Sequence, residues 1–501
     1  MFTYLLAGLV GALTPENLLS ALLGCFLGTV VGILPGLGPS TTVALLIPVA
    51  FAVRPDTMLI MMCGVYLGAM YGGSLTSILL KVPGEASSAL TALDGFEMAR
   101  QGRAGPALAI AAVGSFIGGT LSVVALTVVA QPIARFALRF GPSEYFALMV
   151  FALVMSATLI GRSLTRGLLA VVLGVMLSVV GSDLQTGIPR FTLGIDILLD
   201  GIDIVVVIIG IFGVAEVLHF LLHESRTLQG RLAIRGRLWL SREDLVRSAG
   251  PIGRGTAVGF LAGVMPGSGS TLGSMLAYAL EGRVGRARGR LGTGAIEGVA
   301  AVETANNAAT GGALIPMFTL GIPGSGTTAV LLAVLLMYGV QPGPRLMVEQ
   351  AQLFWTVVAS LYISNVILLI LNLPLIPLFV RILDIPARYL MPAIGLFAAV
   401  GAYSVNTQVS DVWLVFLFGL LGYAMRWAGM PPVALVLGMV LGDRLEQSLR
   451  QAFILGNRSF VFLLRPITLT LLLAAVLVVA LDAAGRARAR RRAVPTPAPQ
   501  P

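Results

Sequence analysis

Gly32-Ile-Leu-Pro-Gly-Leu-Gly-Pro-Ser40 lies near the start of the chain, and Gly263-Val-Met-Pro-Gly-Ser-Gly-Ser-Thr271 lies past its middle. Each stretch sits inside an apolar run long enough to enter a bilayer. Each also puts Pro and Gly where an ordinary spanning helix would be smooth. Backbone that leaves helical geometry at membrane depth is tolerated only where protein buries it or a polar cavity receives it. Two copies therefore point to a paired, solvent-reachable site inside a membrane protein.

Composition agrees with that reading. The 501 residues are 57% hydrophobic and 11% charged. They repeatedly supply the roughly 20 apolar positions that a spanning helix needs. Clear apolar runs cover 57–80, 105–131, 144–160, 166–182, 203–222, 351–373, 411–425 and 459–481, with broken segments at 18–53, 255–281 and 294–341. The expected fold is an all-α polytopic membrane protein of about 12 transmembrane segments. Its two homologous halves would carry Pro-Gly-broken helices or re-entrant hairpins. The parts read as a first transmembrane repeat (1–222), a basic cytoplasmic loop (223–254), a second repeat (255–482) and a disordered Arg/Pro-rich tail (483–501).

The net charge of +10 does not signal nucleic acid, because the arginines occupy short loops beside spans rather than a soluble domain. Under the positive-inside rule the loops at 224–254 and 283–290, with Arg162 and Arg166, face the cytoplasm. Segment 255–281 lies between two of these loops, which suits a re-entrant hairpin better than a single pass. Met1–Thr14 lacks a basic leader and a small-residue cleavage site, so direct insertion is expected. Cys25 and Cys63 lie in apolar runs and read as small core residues.

The duplication extends beyond the opening motif. An offset of 231 carries Gly28, Gly32, Pro35, Gly36 and Gly38 onto Gly259, Gly263, Pro266, Gly267 and Gly269. A second pair of breaks, Pro83-Gly-Glu-Ala-Ser-Ser-Ala89 and Pro323-Gly-Ser-Gly-Thr-Thr-Ala329, follows at an offset near 240. Corresponding interrupted segments in two halves are the best sequence pointer to a transporter site near the midplane.

After each Pro-Gly the chain restarts with hydroxyl residues: Ser40 and Thr41, Ser87 and Ser88, Ser270 and Thr271, Thr327 and Thr328. Ser and Thr cap a helix start, and the free N–H groups there attract an anion. With Gly36, Gly38, Gly267, Gly269 and Gly324, these hydroxyls are the candidate carboxylate cradle, although they could simply cap buried helix ends. Lys81 is the lone lysine of the chain and could pair with Glu85 or meet a substrate carboxylate. Helical spacing puts Glu303, Asn306 and Asn307 on one face, where with Glu85 they could hold a coupling cation, sodium or a proton.

Other chemistry fails on inspection. The glycine run at Gly267 lacks the lysine of a phosphate loop. His219 and His223 have metal-pair spacing but sit where a span meets the basic loop. No nucleophile and base can be named, so neither enzyme activity nor a cofactor is expected.

The run Gly32-Ile-Leu-Pro-Gly-Leu-Gly-Pro39 joins three further stretches: Tyr71-Gly-Gly-Ser-Leu-Thr-Ser-Ile-Leu-Leu-Lys-Val-Pro-Gly-Glu85, Leu93-Asp-Gly-Phe96, and Glu303-Thr-Ala-Asn-Asn-Ala-Ala-Thr-Gly-Gly312 through Gly321-Ile-Pro-Gly324. Together they resemble the large permease subunit of the tripartite tricarboxylate transporters, the TctA family, over roughly residues 15 to 480. The resemblance implies a permease of the bacterial inner membrane that takes up organic acids by sodium or proton symport. It also implies a small membrane subunit (TctB-like) and a periplasmic solute-binding protein (TctC-like). A passive pore for small anions and a non-transporting scaffold subunit are the other readings.

Overall fold

The computed structural model describes residues 2–34, 38–160, 163–183, 185–222, 239–267, 269–376, 378–379 and 387–492. Among these residues the chain is almost entirely helical. The exception is a two-stranded antiparallel ribbon in which Gly181 pairs with Arg190 and Ser182 with Pro189. Among the described residues, eight helices are long and apolar enough to cross a bilayer, beginning with Pro15–Ile33 and Pro55–Leu80 and ending with the start of Pro466–Arg492. Ile296–Leu320 spans 25 residues but carries too much polarity to read as a simple span. Its polar residues are buried rather than lipid-facing.

Two helical hairpins account for the opening motifs. Pro15–Ile33 breaks and restarts as Pro39–Leu45. Arg242–Val264 breaks and returns as Gly269–Val284, packing back on itself so closely that Gly273 meets Gly259 and Gly269 meets Gly263. Each hairpin lies against a long central helix along a seam of glycine. A Cβ at Gly28 would run into the Val65 carbonyl, and one at Gly32 into that of Ala69. In the second half Gly259 meets Ala305 and Gly263 meets Ala309 in the same way. Only glycine admits such backbone-to-backbone approach in a membrane bundle. Partner numbers rise together in both seams, so each hairpin's first arm runs parallel to its central helix.

The two central helices run antiparallel to each other. Tyr66 of Pro55–Leu80 reaches Ser325 beyond the end of Ile296–Leu320, and Glu85 beyond the end of Pro55–Leu80 reaches Asn306. The offset of 240 carries Tyr66 onto Asn306 and Glu85 onto Ser325. The two bridges are thus one contact seen from each half, the exchange pattern of a two-fold axis. Because the two central helices are antiparallel, such an axis would run across them rather than along them.

Charge separates the two faces. On one face, Arg247 makes a bidentate pair with Glu297 at 2.8 and 3.0 Å, Arg254 pairs with Glu281 at 2.7 Å, and Arg103 meets Asp244. Buried Asp94 pins the loop there, accepting the backbone N–H groups of Gly292, Gly294 and Ala295 and the Tyr278 hydroxyl. The opposite face carries the ribbon and Asp196, and around the ribbon Asp183, Asp200, Asp203, Asp411, Asp443 and Glu446 outnumber Arg190, Arg444 and Arg450. Both arms of the second hairpin end on the arginine-rich face, as the flanking basic loops predict.

Helix limits differ from the expected part boundaries at two points. Arg242–Val264 begins inside the segment read as loop, because Ser241 and Asp244 form a reciprocal capping box. The last helix continues to Arg492, past the start of the expected tail. Residues 223–238 and 493–501 of those two segments, His223 among them, lie outside the described residues.

Candidate functional site

The four breaks meet between the central helices. A Cβ on Gly84 in the second break would strike the Gly32 carbonyl of the first, and the Gly267 N–H in the third donates to the Gly324 carbonyl of the fourth at 3.0 Å. The second and fourth breaks are built alike. Each long helix ends on a left-handed residue, Lys81 at φ 59° and Gly321 at φ 70°. Each then restarts with a reciprocal capping box, Glu85 with Ser88 and Ser325 with Thr328. Left-handed backbone costs a lysine what it spares a glycine, so Lys81 marks a point of local strain.

The exchange continues between halves. Pro39–Leu45 packs against Gly326–Met337 of the second half, and Gly269–Val284 packs against the Ala86–Ser88 turn of the first. The breaks of the two halves are therefore packed against one another in one layer.

The acidic and amide residues form its polar centre. Half-buried Glu85 accepts from the Ser87 hydroxyl and, at 3.3 Å, from Asn306 Nδ2. Fully buried Glu303 accepts from the Thr91 hydroxyl. Asn307 Nδ2 donates to Ser115 Oγ at 2.7 Å and to the Glu303 carbonyl at 3.2 Å. Neither Glu85 nor Glu303 has an ion-pair partner among the described residues. Three buried acceptor oxygens, Glu303 Oε2, Asn306 Oδ1 and Asn307 Oδ1, have no hydrogen-bond donor there. Buried acceptors left without donors are costly, and this set suits a proton or a small desolvated cation.

A cavity of about 430 Å³ opens beside this centre, lined by Gly38, Ser40, Thr41, Pro83, Gly84, Glu85, Ala86, Ile211, Phe212, Arg426, Pro432 and Val433. Residues 209–214 on its wall form a π-helical turn, a backbone irregularity that recurs at functional sites. Arg426 ends the Val409–Trp427 helix, which starts at the acidic face, so the cavity lies toward the arginine-rich side. On the opposite side a larger polar cavity of about 780 Å³ is lined by Asp203, Gln341, Asn406, Asp411, Asp443 and Arg444, among others. The break layer separates the two.

Other expected residues have different placements. Gly36 lies outside the described residues. Ser88 and Thr328 are buried and committed to caps: Ser88 Oγ donates to the Glu85 carbonyl, and Thr328 Oγ1 to that of Ser325. Thr327 is buried beside Thr328, while Ser270 and Thr271 are half-buried at the start of the returning hairpin arm. The expected hydroxyl cap is present at the fourth break, where Ser325 supplies it. It is absent at the first, where Gly38 takes the cap position with no side-chain bond and Pro39 has no N–H to satisfy. At the second break a carboxylate, Glu85, takes that role. Lys81 does not reach Glu85: its left-handed backbone turns it outward, and Nζ stands 5.4 Å from the Phe96 ring centre.

Sequence reasoning missed Arg426 and its partner Glu216, which form an ion pair at the cavity. They sit 210 positions apart, near the ends of separate helices, and no motif joins them.

Comparison with known proteins identifies the family. Residues 18–437 match the family described as the Tripartite tricarboxylate transporter TctA family. The chain is 46% identical over 480 residues, 95% of each chain, to the "Uncharacterized 52.8 kDa protein in TAR-I ttuC' 3'region" of Agrobacterium vitis. It is 44% identical over 215 residues, 43% of this chain and 89% of the other, to the "Uncharacterized protein in TAR-II ttuC' 3'region" of the same organism. No solved structure matches. The chain is a multi-pass membrane protein that belongs to the TctA family of tripartite tricarboxylate transporters.

Proposed function

We propose that this chain is the permease subunit of a binding-protein-dependent secondary transporter of the bacterial inner membrane, taking up tricarboxylates or related organic acids by symport with sodium or protons. One observation carries the reading. No cationic side chain among the described residues neutralises Glu85 in the second break or Glu303, one turn before the Glu85 partner Asn306 on the central helix of the second half, and Glu85 also faces the cavity with Ser40 and Thr41.

This arrangement supports an electrostatic coupling. A carboxylate entering the cavity while Glu85 is ionised meets a like charge in a medium of low dielectric. A cation or proton held by Glu85, Glu303 and the Asn306 and Asn307 oxygens removes that repulsion, so the cation binds first. Its entry also offsets the membrane potential, which opposes an inward-moving anion by about 2.3 kcal/mol per charge per 100 mV. Gly267, Gly269, Ser270, Thr271, Gly324, Thr327 and Thr328 would supply the corresponding surface of the second half as one half moves against the other. A TctC-like binding protein would deliver substrate to the acidic face, and a TctB-like subunit would complete the complex.

Uptake of labelled citrate, malate and succinate into proteoliposomes holding the whole complex tests the proposal, with sodium and pH gradients imposed separately. Accumulation above the external concentration under one of these gradients is expected. Flux that only equilibrates and ignores both gradients would identify a passive pore.

A further inference from the structure

We infer that Arg426 is the group that receives a substrate carboxylate on the arginine-rich side of the break layer, with Glu216 as its positioning partner. The inference rests on the carboxylate reading above and assigns the charge that completes it. Of the described residues lining the 430 Å³ cavity, Arg426 alone is cationic. The hydroxyls of Ser40 and Thr41 can donate, but in an apolar surrounding they leave an anion's charge uncompensated.

The guanidinium is held yet not exhausted. One Nη nitrogen donates to Glu216, whose side chain is 6% exposed, while the Arg426 side chain keeps 34% exposure. No other acceptor contacts it among the described residues. A guanidinium carries five donors in a rigid fork matched to carboxylate, so a second carboxylate can dock beside the first.

The helices that present the pair are themselves fixed. Gly210, Gly419 and Gly422 allow Ile204–Leu222 and Val409–Trp427 to touch backbone to backbone. The π-helical turn then places Ile211 and Phe212 on the cavity wall and Glu216 against Arg426. The irregular turn, the ion pair and the first two breaks thus surround one space. Its ligand class is an organic anion bearing at least one carboxylate.

The test is uptake by the reconstituted complex with competition between succinate and succinamate, which differ by one carboxylate. Arg426→Gln is expected to raise KM for citrate by about tenfold or more, the worth of one charge-assisted contact. It should also shrink the preference for succinate over succinamate to under about threefold. Arg426→Lys keeps the charge and the pairing with Glu216 but loses the fork, so KM should still rise by about threefold to tenfold. This variant decides the matter if Arg426→Gln does not fold. An unchanged KM and an unchanged succinate preference in either folded variant would overturn the role of Arg426 while leaving carboxylate transport standing. A parent complex that transports no carboxylate would overturn both.

Discussion

Asp94 offers the sharpest test of how the two halves are joined. It belongs to the short Thr91–Arg100 helix of the first half, is fully buried, and accepts four hydrogen bonds from the second. The Gly292, Gly294 and Ala295 amides reach Oδ1 at 2.8, 3.0 and 2.8 Å, and the Tyr278 hydroxyl reaches Oδ2 at 2.9 Å. Asp94→Ala strands all four donors. Each lost bond to a charged acceptor is worth about 1.5–3 kcal/mol, and partial hydration of the loop amides offsets some of this, so a total of about 3–5 kcal/mol follows. Asp94→Asn keeps an acceptor for the three amides, and its new N–H₂ can donate to the Tyr278 oxygen. Only the charge is lost, at about 1–2 kcal/mol. Thermal unfolding in detergent can be followed with a thiol-reactive fluorophore, because both cysteines are buried and react only when the fold opens. The expected order of melting temperature is parent, Asn variant, Ala variant, with the larger step at Ala. Melting of the Ala variant with the parent would refute the pinning role.

Three further outcomes follow. Gly259→Ala should destabilise by about 1–3 kcal/mol through overpacking against the Ala305 carbonyl, whereas Gly253→Ala, on the same helix with open space around it, should be neutral or gain up to about 1 kcal/mol; equal effects in the same melting assay would argue against the glycine seam. Cysteine at Asp196 should react with an impermeant maleimide added to intact cells, and cysteine at Arg286 only after permeabilisation, while labelling from one side would overturn the sidedness of the two faces. The side-chain hydrogen bond from Arg450, then the backbone bond from Gln185, hold the Asp183 carboxyl well below the usual carboxylate range. Its contribution to stability is therefore complete above the unfolded value of about 4 and fades as pH falls below it. The melting difference between parent and Asp183→Asn should stay constant from neutrality to that point and shrink in stronger acid.

Much of the site was legible in the sequence because membrane burial makes broken helices conspicuous. Pro and Gly at matched positions marked all four breaks. The i, i+3, i+4 spacing of Glu303, Asn306 and Asn307 placed them on one face, and the flanking arginines gave the second hairpin both its ends. What escaped was set by tertiary pairing. Whether Glu85 would meet Lys81 or Asn306 depended on a left-handed turn at Lys81, a conformation that local sequence does not call for. The antiparallel relation of the halves is carried by Tyr66–Ser325 and Glu85–Asn306, contacts more than 200 residues apart. Arg426 and Glu216 resemble ordinary helix-end charges until the cavity between them is seen. Hydroxyl residues after each break looked equivalent, yet Ser88 and Thr328 are consumed by caps, while Ser40 and Thr41 line open space.

The central claim is that Glu85 and Glu303 couple cation entry to carboxylate entry. Its most direct measurement is the steady-state accumulation ratio of labelled substrate in proteoliposomes under a fixed cation gradient, set beside counterflow without a gradient. Glu85→Gln and Glu303→Gln, which remove the charge and keep the shape, should bring accumulation down toward equality across the membrane while counterflow persists. Undiminished gradient-driven accumulation in both variants would contradict the account.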